Sequence, residues 1–438
     1  MTGSDRSLRV LLICTRDPRG RMSGRKMVLQ TILRSLTELG HLVTVGHFGP
    51  SSGRGVAELP ATYLRLPMPR PWELAAACAG ALVLRRRSVN EALYASRRAH
   101  AAIADLVAGN GYDLVITDMI RTAPYGERSG LPWIADLDDL LSARYAHMAK
   151  QAAGAGLLGY HRAPLVGWLL RHAAAVQPAL LRREAAILAE REAQVVRRAD
   201  LVSLVSGREA QRLTEAVGIR VVSTPMAVPG PAEVAPLDGR PFEAVFLGGL
   251  DYGPNLTALS RFDRDLIPAL AARGVGGFDL HVIGYSTTSH RASFSPRIHF
   301  RGYCPDVQAE LQRYRLMLVP EVTPGGVKTK IIEAALTGTL VLAHETALDG
   351  MGLRPGIEVL AWRDAETLAA HVARLRGGQI DGAAMARAAR AAALERFSPD
   401  VLRARWQGNL AACLAIAQGR PARRRIVPRR AGLEEAIE

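Results

Sequence analysis

Lys328 and Lys330 stand two residues apart in the stretch 320–338, PEVTPGGVKTKIIEAALTG, directly after Gly325-Gly326 and just ahead of Glu333. The chain otherwise uses arginine almost alone. Of 56 basic residues only Lys26, Lys150, Lys328 and Lys330 are lysines. A compact ammonium in such a chain points to a contact that a guanidinium fork would not serve. A glycine turn, a lysine and a helix N-terminus together make a phosphate site, because backbone amides and the helix dipole converge on the same anion. A nucleotide diphosphate is the expected ligand of this segment.

Other residue types with chemical potential lie at the ends of apolar runs. Gly248-Gly249, Gly284 and Gly302 each close such a run, and Gly325-Gly326 follow a fourth. Glycines there let backbone approach a ligand closely, although each taken singly also reads as an ordinary turn. Asp138 and Asp139 follow the run WIADL at 133–137. Two adjacent carboxylates at a strand end could orient a substrate hydroxyl or cap a helix starting at Leu140. Gly24 and Lys26 open the first helix; the lysine is either a phosphate contact or a solvated helix-start residue.

These groups need elements to hold them. RVLLIC at 9–14 reads as a buried parallel strand, the segment 27–39 as a helix ending at Gly40, and LVTV at 42–45 as the next strand. That is a βαβ unit and the start of a doubly wound sheet. YDLVIT at 112–117, WIAD at 133–136 and LVSLV at 201–205 continue the series, and residues 221–225 lead out. Residues 143–198 are Ala-, Leu- and Arg-rich with a helical period, a helical insertion.

The stretch 225–241 holds five prolines and two glycines and reads as a linker. A second strand series follows at 243–247, 278–283, 298–300, 316–320 and 340–343, with a further candidate at 356–360. The expected organisation is an N-terminal Rossmann-like domain (1–225), a linker (226–240), a second Rossmann-like domain (241–396), a closing helix (397–418) and a basic tail (419–438) expected to be disordered. The class is α/β, two doubly wound domains, with ligands expected at the carboxyl ends of the strands in the cleft between them.

Composition bounds the partners. Net charge is +15, which suits nucleic acid, anionic lipid or phosphorylated substrates, and equally a coding bias toward arginine. Aromatic residues are 5% of the chain and are not interleaved with the basic ones, which argues against a stacking-type nucleic-acid surface. The scattered Cys14, Cys78, Cys304 and Cys413 show no metal or redox spacing, as in a cytoplasmic protein with reduced thiols. No secretory leader is read at the N-terminus. The longest apolar run, 74–84, falls short of the ~20 residues of a spanning helix. With Trp72 ahead of it and Arg85, Arg86 and Arg87 behind, the segment 69–87 fits either an interfacial helix on anionic lipid or a buried helix with a basic cap, the latter favoured.

FLGGLDYGPNLTAL (246–259), HVIG (281–284) and the block 300–343 together resemble the donor domain of the family 4 retaining glycosyltransferases of GT-B fold. The N-terminal half is similar more loosely, through Ser23-Gly24, the strand entry at Gly40-His41 and the strand at Leu201. The resemblance implies a GT-B architecture whose closing helix returns to the N-terminal domain. It implies transfer of a sugar from a nucleotide-diphosphate sugar to an acceptor hydroxyl with retention, in bacterial polysaccharide, envelope glycolipid or secondary-metabolite assembly. The donor would be UDP-, GDP- or dTDP-linked and the acceptor a sugar, lipid-linked glycan or small molecule. No metal and no other cofactor is expected, although Asp136 and Asp138 form a D-x-D pattern. Cytoplasmic placement follows, at the inner face of the membrane where the acceptor is lipid-linked.

Glu333 matches the family's glutamate on the donor ribose; the alternative is a first-turn carboxylate favouring the helix dipole. Lys328 and Lys330 match its basic residues near the diphosphate, with backbone amides of Gly325, Gly326 and Val327 beside them. Two residues apart on a helix, the lysines cannot both face one point, and Lys328 is the favoured phosphate contact. Gly248, Gly249, Asn255, Gly284 and Arg301 complete the expected donor site, with Gly24 and Lys26 from the N-terminal half and Asp138 as a catalytic candidate. Two departures stand out. Gly325 occupies the place of a glutamate usual eight residues before Glu333, and Tyr252-Gly253-Pro254-Asn255 replaces a common Arg and Lys. An epimerase on the same fold, an inactive sugar-nucleotide-binding subunit and a nucleic-acid-binding protein are the rival readings.

Overall fold

The computed structural model describes residues 6–20, 24–51, 60–84, 88–151, 177–322 and 327–420. It divides into two units, Met1–Met226 with Arg403–Glu438, and Ala227–Leu402.

In the first unit β1 (Arg9–Cys14) is buried from Val10 onward, as its unbroken apolar run requires of a strand covered on both faces. α1 (Gly24–Glu38) follows, and Gly40 just after it, at φ 80°, lets the chain turn sharply into β2 (Leu42–His47). β3 (Ala61–Arg65) pairs with β2 at the sheet edge. α2 (Pro71–Leu84) comes next, and β4 (Leu114–Asp118) then enters the sheet beside β1. α3 (Met119–Ser129) connects β4 to β5 (Trp133–Asp136). β6 (Leu201–Leu204) and the short β7 (Val222–Ser223) complete a parallel sheet of order β3-β2-β1-β4-β5-β6-β7.

Trp133 is fully buried and its Nε1 donates to Thr117 Oγ1 at 2.8 Å. A side chain at Gly126 of α3 would come within 2.2 Å of that indole, so glycine is what lets helix and strand meet there. The expected insertion contains α4 (Leu141–Gln151) and α5 (Gln177–Arg198), which pack on each other; residues 152–176 lie outside the described residues.

The second unit repeats the plan. β8 (Ala244–Leu247), β9 (Leu280–Ile283), β10 (Ile298–Gly302), β11 (Leu316–Val319), β12 (Leu340–His344) and β13 (Leu360–Trp362) form a parallel sheet of order β10-β9-β8-β11-β12-β13. α6 (Gly253–Arg261) follows β8 and α7 (Thr329–Leu336) follows β11. The strand anticipated at 356–360 is a turn instead. Gly356 sits at φ 80° and its amide bonds Val359 O at 2.8 Å, so β13 starts only at Leu360.

Residues 227–240 run against this unit. Val228 N bonds Phe397 O, and the Arg240 guanidinium reaches the carbonyls of Ala235, Tyr314 and Thr337.

α8 (Pro399–Gln418) carries Arg403, Arg405 and Asn409 onto first-unit partners: Glu38, the Ser223 carbonyl and Thr224. Arg420 extends the docking to the carbonyls of Arg198 and Ala199. The basic tail beyond it, 421–438, lies outside the described residues. Two doubly wound parallel sheets with a C-terminal helix returning to the first unit is the architecture expected of this chain.

Candidate active site

Each sheet reverses its strand order once, between β1 and β4 in the first unit and between β8 and β11 in the second. Open α/β sheets bind ligands at the carboxyl ends of strands beside such a reversal.

In the second unit the strand tips are laid edge to edge. Gly248 N donates to Ile283 O at 2.9 Å and Gly284 N to Gly302 O at 2.8 Å, so Gly248, Gly249, Gly284 and Gly302 are brought together. A side chain at Gly284 (φ 144°) would lie 2.5 Å from Gly248 O, which makes glycine obligatory at this crossing. From α6, Asn255 reaches back and donates through Nδ2 to Gly249 O at 2.9 Å.

On the other side of the reversal β11 ends at Val319, and the buried Glu321 follows two residues on. Lys330, in the first turn of α7, forms an ion pair with Glu321 Oε1 and donates to Asn255 Oδ1 at 3.0 Å. Its ammonium also lies 4.4 Å from the centre of the Phe246 ring on β8. Lys330 thus joins the ends of β8, β11 and α6 to α7. The second carboxylate oxygen of Glu321 is buried without a hydrogen-bond partner. Glu321 was not among the expected site residues; its signal was an acid directly after a buried strand and nine residues before a lysine.

Lys328 is the N-cap of α7, in extended backbone and with no side-chain cap, so the first-turn amides and the positive helix end lie at this residue. Val327 precedes it; Gly325 and Gly326 lie outside the described residues. Glu333, one turn on, accepts from Gln308 Nε2 at 2.8 Å, and Gln308 also donates to Pro229 O. Burial pushes the Glu333 carboxyl above its usual range, and the Gln308 bond offsets part of that. Arg301 is turned away from the glycine tips. Its Nε donates to His281 Nδ1 at 3.2 Å, while His281 Nε2 faces Glu243 at 3.1 Å. Burial and then Arg301 keep that imidazole below its ordinary pKa.

In the first unit the reversal is built on charge. Arg25 of α1 is buried, and its Nε bonds Asp118 Oδ1 at 2.6 Å at the end of β4. Nη2 bonds Asp136 Oδ2 at 2.8 Å at the end of β5. Nη1 lies 2.9 Å from Asp138 Oδ1 as an ion-pair contact, but it is not aligned for a hydrogen bond. Thr15, just past β1, donates through its amide and its hydroxyl to Asp118, and Ser203 donates to Asp136. Burial raises the Asp136 carboxyl. At Asp118 burial acts in the same sense, but Arg25 and Thr15 outweigh it and the carboxyl is lowered.

Asp138 is held at φ 69°, one of two non-glycine residues with positive φ among those described. Backbone strain of that kind concentrates at functional sites. Asp138 donates no cap to the following helix: α4 begins at Leu141, and the amide of Ser142 is bonded by Glu192 of α5. Asp139 pairs with Arg144. Gly24 is exposed at the start of α1, and Lys26 folds back to donate to the Arg19 carbonyl. Asp118 and the bridging part of Arg25 went unread in the sequence.

Two parallel Rossmann-like sheets with glycine-tipped strands and an order reversal in each define a chain of the GT-B glycosyltransferase fold. Residues 241–377, which span β8 to β13, match the model of the family described as glycosyl transferases group 1. That family match makes the chain a transferase. Sucrose-phosphate synthase from Thermosynechococcus elongatus is similar at TM-score 0.64 and 16% identity, over 94% of this chain and 100% of that one. Anabaena HepE, crystallised with UDP, is similar at TM-score 0.60 and 15% identity, over 92% of this chain and 100% of that one. A lipopolysaccharide outer core galactosyltransferase, WaaB, follows at TM-score 0.56 and 12% identity, over 93% and 99%. A search of curated protein sequences gives no match.

Proposed function

We propose that the chain is a family 4 retaining glycosyltransferase that moves a sugar from a nucleotide-diphosphate donor to an acceptor hydroxyl. The observation that carries this reading is the placement of Lys328 and Glu333 on one helix at the sheet reversal of the second unit, next to the β8–β10 glycine tips. Glu333 would accept from the ribose hydroxyls, which a buried carboxylate does well because it is already desolvated. Lys328 and the α7 amides would hold the diphosphate and stabilise the charge it gains as the glycosidic bond breaks. Lys328 is favoured for the phosphate because it is the N-cap of α7, where the helix amides face the same anion; Lys330 is held by Glu321 and Asn255. Gly325 stands where a donor-sugar glutamate is usual, so the sugar would be held by other groups.

In the first unit Asp138 is the candidate for a substrate hydroxyl, presented by Arg25 on a strained backbone. With retention, the acceptor attacks on the face that the diphosphate leaves, and a departing phosphate oxygen takes the proton. UDP is the first donor nucleotide to test, since HepE was crystallised with it. The setting we propose is bacterial polysaccharide or envelope glycolipid assembly in the cytoplasm, against the inner face of the membrane.

The test is a thermal-shift panel of UDP-, GDP- and dTDP-sugars, followed by turnover with the stabilising donor and by NMR of the product anomer. Stabilisation by one nucleotide class and an unchanged anomeric configuration are expected. No stabilisation by any nucleotide or sugar nucleotide overturns the reading.

A further inference from the structure

α2 is a fourteen-residue helix, PWELAAACAGALVL, without a charged residue after Glu73. A helix this apolar normally sits inside a protein, yet one side of this one faces solvent. Trp72 is 53% exposed and Met68, just before the helix, is 43% exposed. Ala75, Ala76 and Ala79 are exposed as well. Trp72, Ala75, Ala76 and Ala79 follow the three-to-four spacing of a single helix face.

The charge around that face has one sign. Among the described residues of 61–104 there are four arginines, Arg65, Arg70, Arg97 and Arg98, and two acids, Glu73 and Glu91. Both acids are turned inward. Glu73 is 7% exposed and accepts from the amides of Arg70 and Arg97, which caps the helix start and leaves no carboxylate at the surface. Glu91 is buried and paired with Arg191. Arg65, Arg70, Arg97 and Arg98 are all exposed, and the Arg97 guanidinium lies 5.6 Å from the centre of the Trp72 ring.

We infer that the Met68–Trp72–Ala79 face of α2 is a docking surface for a bilayer carrying anionic lipid. The inference deepens the membrane-side part of the proposed function; the transfer chemistry does not depend on it. An apolar helix face too short to span settles at the headgroup boundary, with a tryptophan at its natural depth and arginines against lipid phosphates. Among the described residues no helix is long and apolar enough to cross a membrane, so the contact is one of lying on the surface. The one-signed rim selects an anionic bilayer over a second copy of the chain, whose own rim would carry the same charge.

The full chain is to be floated with vesicles of phosphatidylcholine alone and with vesicles containing about one third phosphatidylglycerol. Binding to the second kind only, weakened by salt, is expected. The exposed pair Trp72→Ser with Ala76→Asp should weaken that binding about tenfold or more while leaving nucleotide-induced stabilisation unchanged. Brominated lipid should quench tryptophan emission in the wild-type chain and less so in Trp72→Phe.

Three results overturn the inference. They are no binding to anionic vesicles, binding that survives the double substitution and so belongs to other basic segments, and a dimer that the substitution dissociates. Failure of the nucleotide panel with vesicle binding intact would instead strike only the transferase reading.

Discussion

Lys330 and Glu321 form a buried ion pair at the end of β11, with side-chain exposures of 12% and 5%. The lysine that draws the eye as a phosphate ligand is therefore also a tie between α7 and the strand tips. Removing one partner of a buried pair leaves an uncompensated charge, typically at a cost of about 3–5 kcal/mol, whereas removing both is far milder. Lys330→Met should lower urea stability by about that amount, and Lys330→Met with Glu321→Gln should recover most of it. Equal losses in the single and double variants would mean that the pair does not form.

Donor binding should separate the two lysines. Glu333→Ala and Lys328→Ala are each expected to weaken nucleotide-diphosphate affinity by about tenfold or more, the scale of a lost hydrogen bond to a charged group. The Lys330→Met, Glu321→Gln double variant should stay close to wild type in the same titration calorimetry. If the double variant loses as much as Lys328→Ala, Lys330 reaches the phosphate after all.

Asp138 offers a test of the first unit. Asparagine tolerates left-handed backbone, so Asp138→Asn should keep the melting temperature within a few degrees. It should lower kcat with the donor affinity unchanged if the carboxylate handles a hydroxyl. Arg25→Met should be far more damaging to stability, because it strands Asp118, Asp136 and Asp138 without their shared cation. Wild-type turnover in Asp138→Asn would remove Asp138 from the mechanism.

A pH signature is expected from Glu192 of α5. Burial raises its carboxyl to about 7, against the bonds it accepts from Ser142. The folded state therefore holds a proton that the unfolded chain releases near the ordinary glutamate value. That contribution to stability is complete below the unfolded pKa and is lost as the pH rises through about 7. Denaturant midpoints should fall across this window, and Glu192→Gln should flatten the fall. An unchanged slope in the variant would assign the effect to another group.

Much of the fold was legible because its signals are local. Unbroken apolar runs such as RVLLIC and LMLV declare buried parallel strands, and glycines at strand ends declare tight passages that the structure uses at Gly248 and Gly284. The spacing of Lys328, Lys330 and Glu333 on one helix was equally local. The edge strand β3 and the face of α2 were harder. β3 is only partly buried, and an Ala-rich helix has no polar stripe to show which side meets solvent.

The sequence by itself determined the two doubly wound halves, the glycine tips and a helix start suited to phosphate, because each depends on neighbours within a few residues. Only the tertiary structure decided the charge pairings. Arg25 meets Asp118 and Asp136 across 93 and 111 residues, and Lys330 is joined to Asn255 across 75. Those partners are brought together by strand order rather than by spacing. The two-residue spacing already favoured Lys328 for the phosphate, but nothing local shows that Lys330 is tied to Glu321 and Asn255. The carboxylate paired with Lys330 sits just past the end of the strand before it, and the sheet order brings the two together.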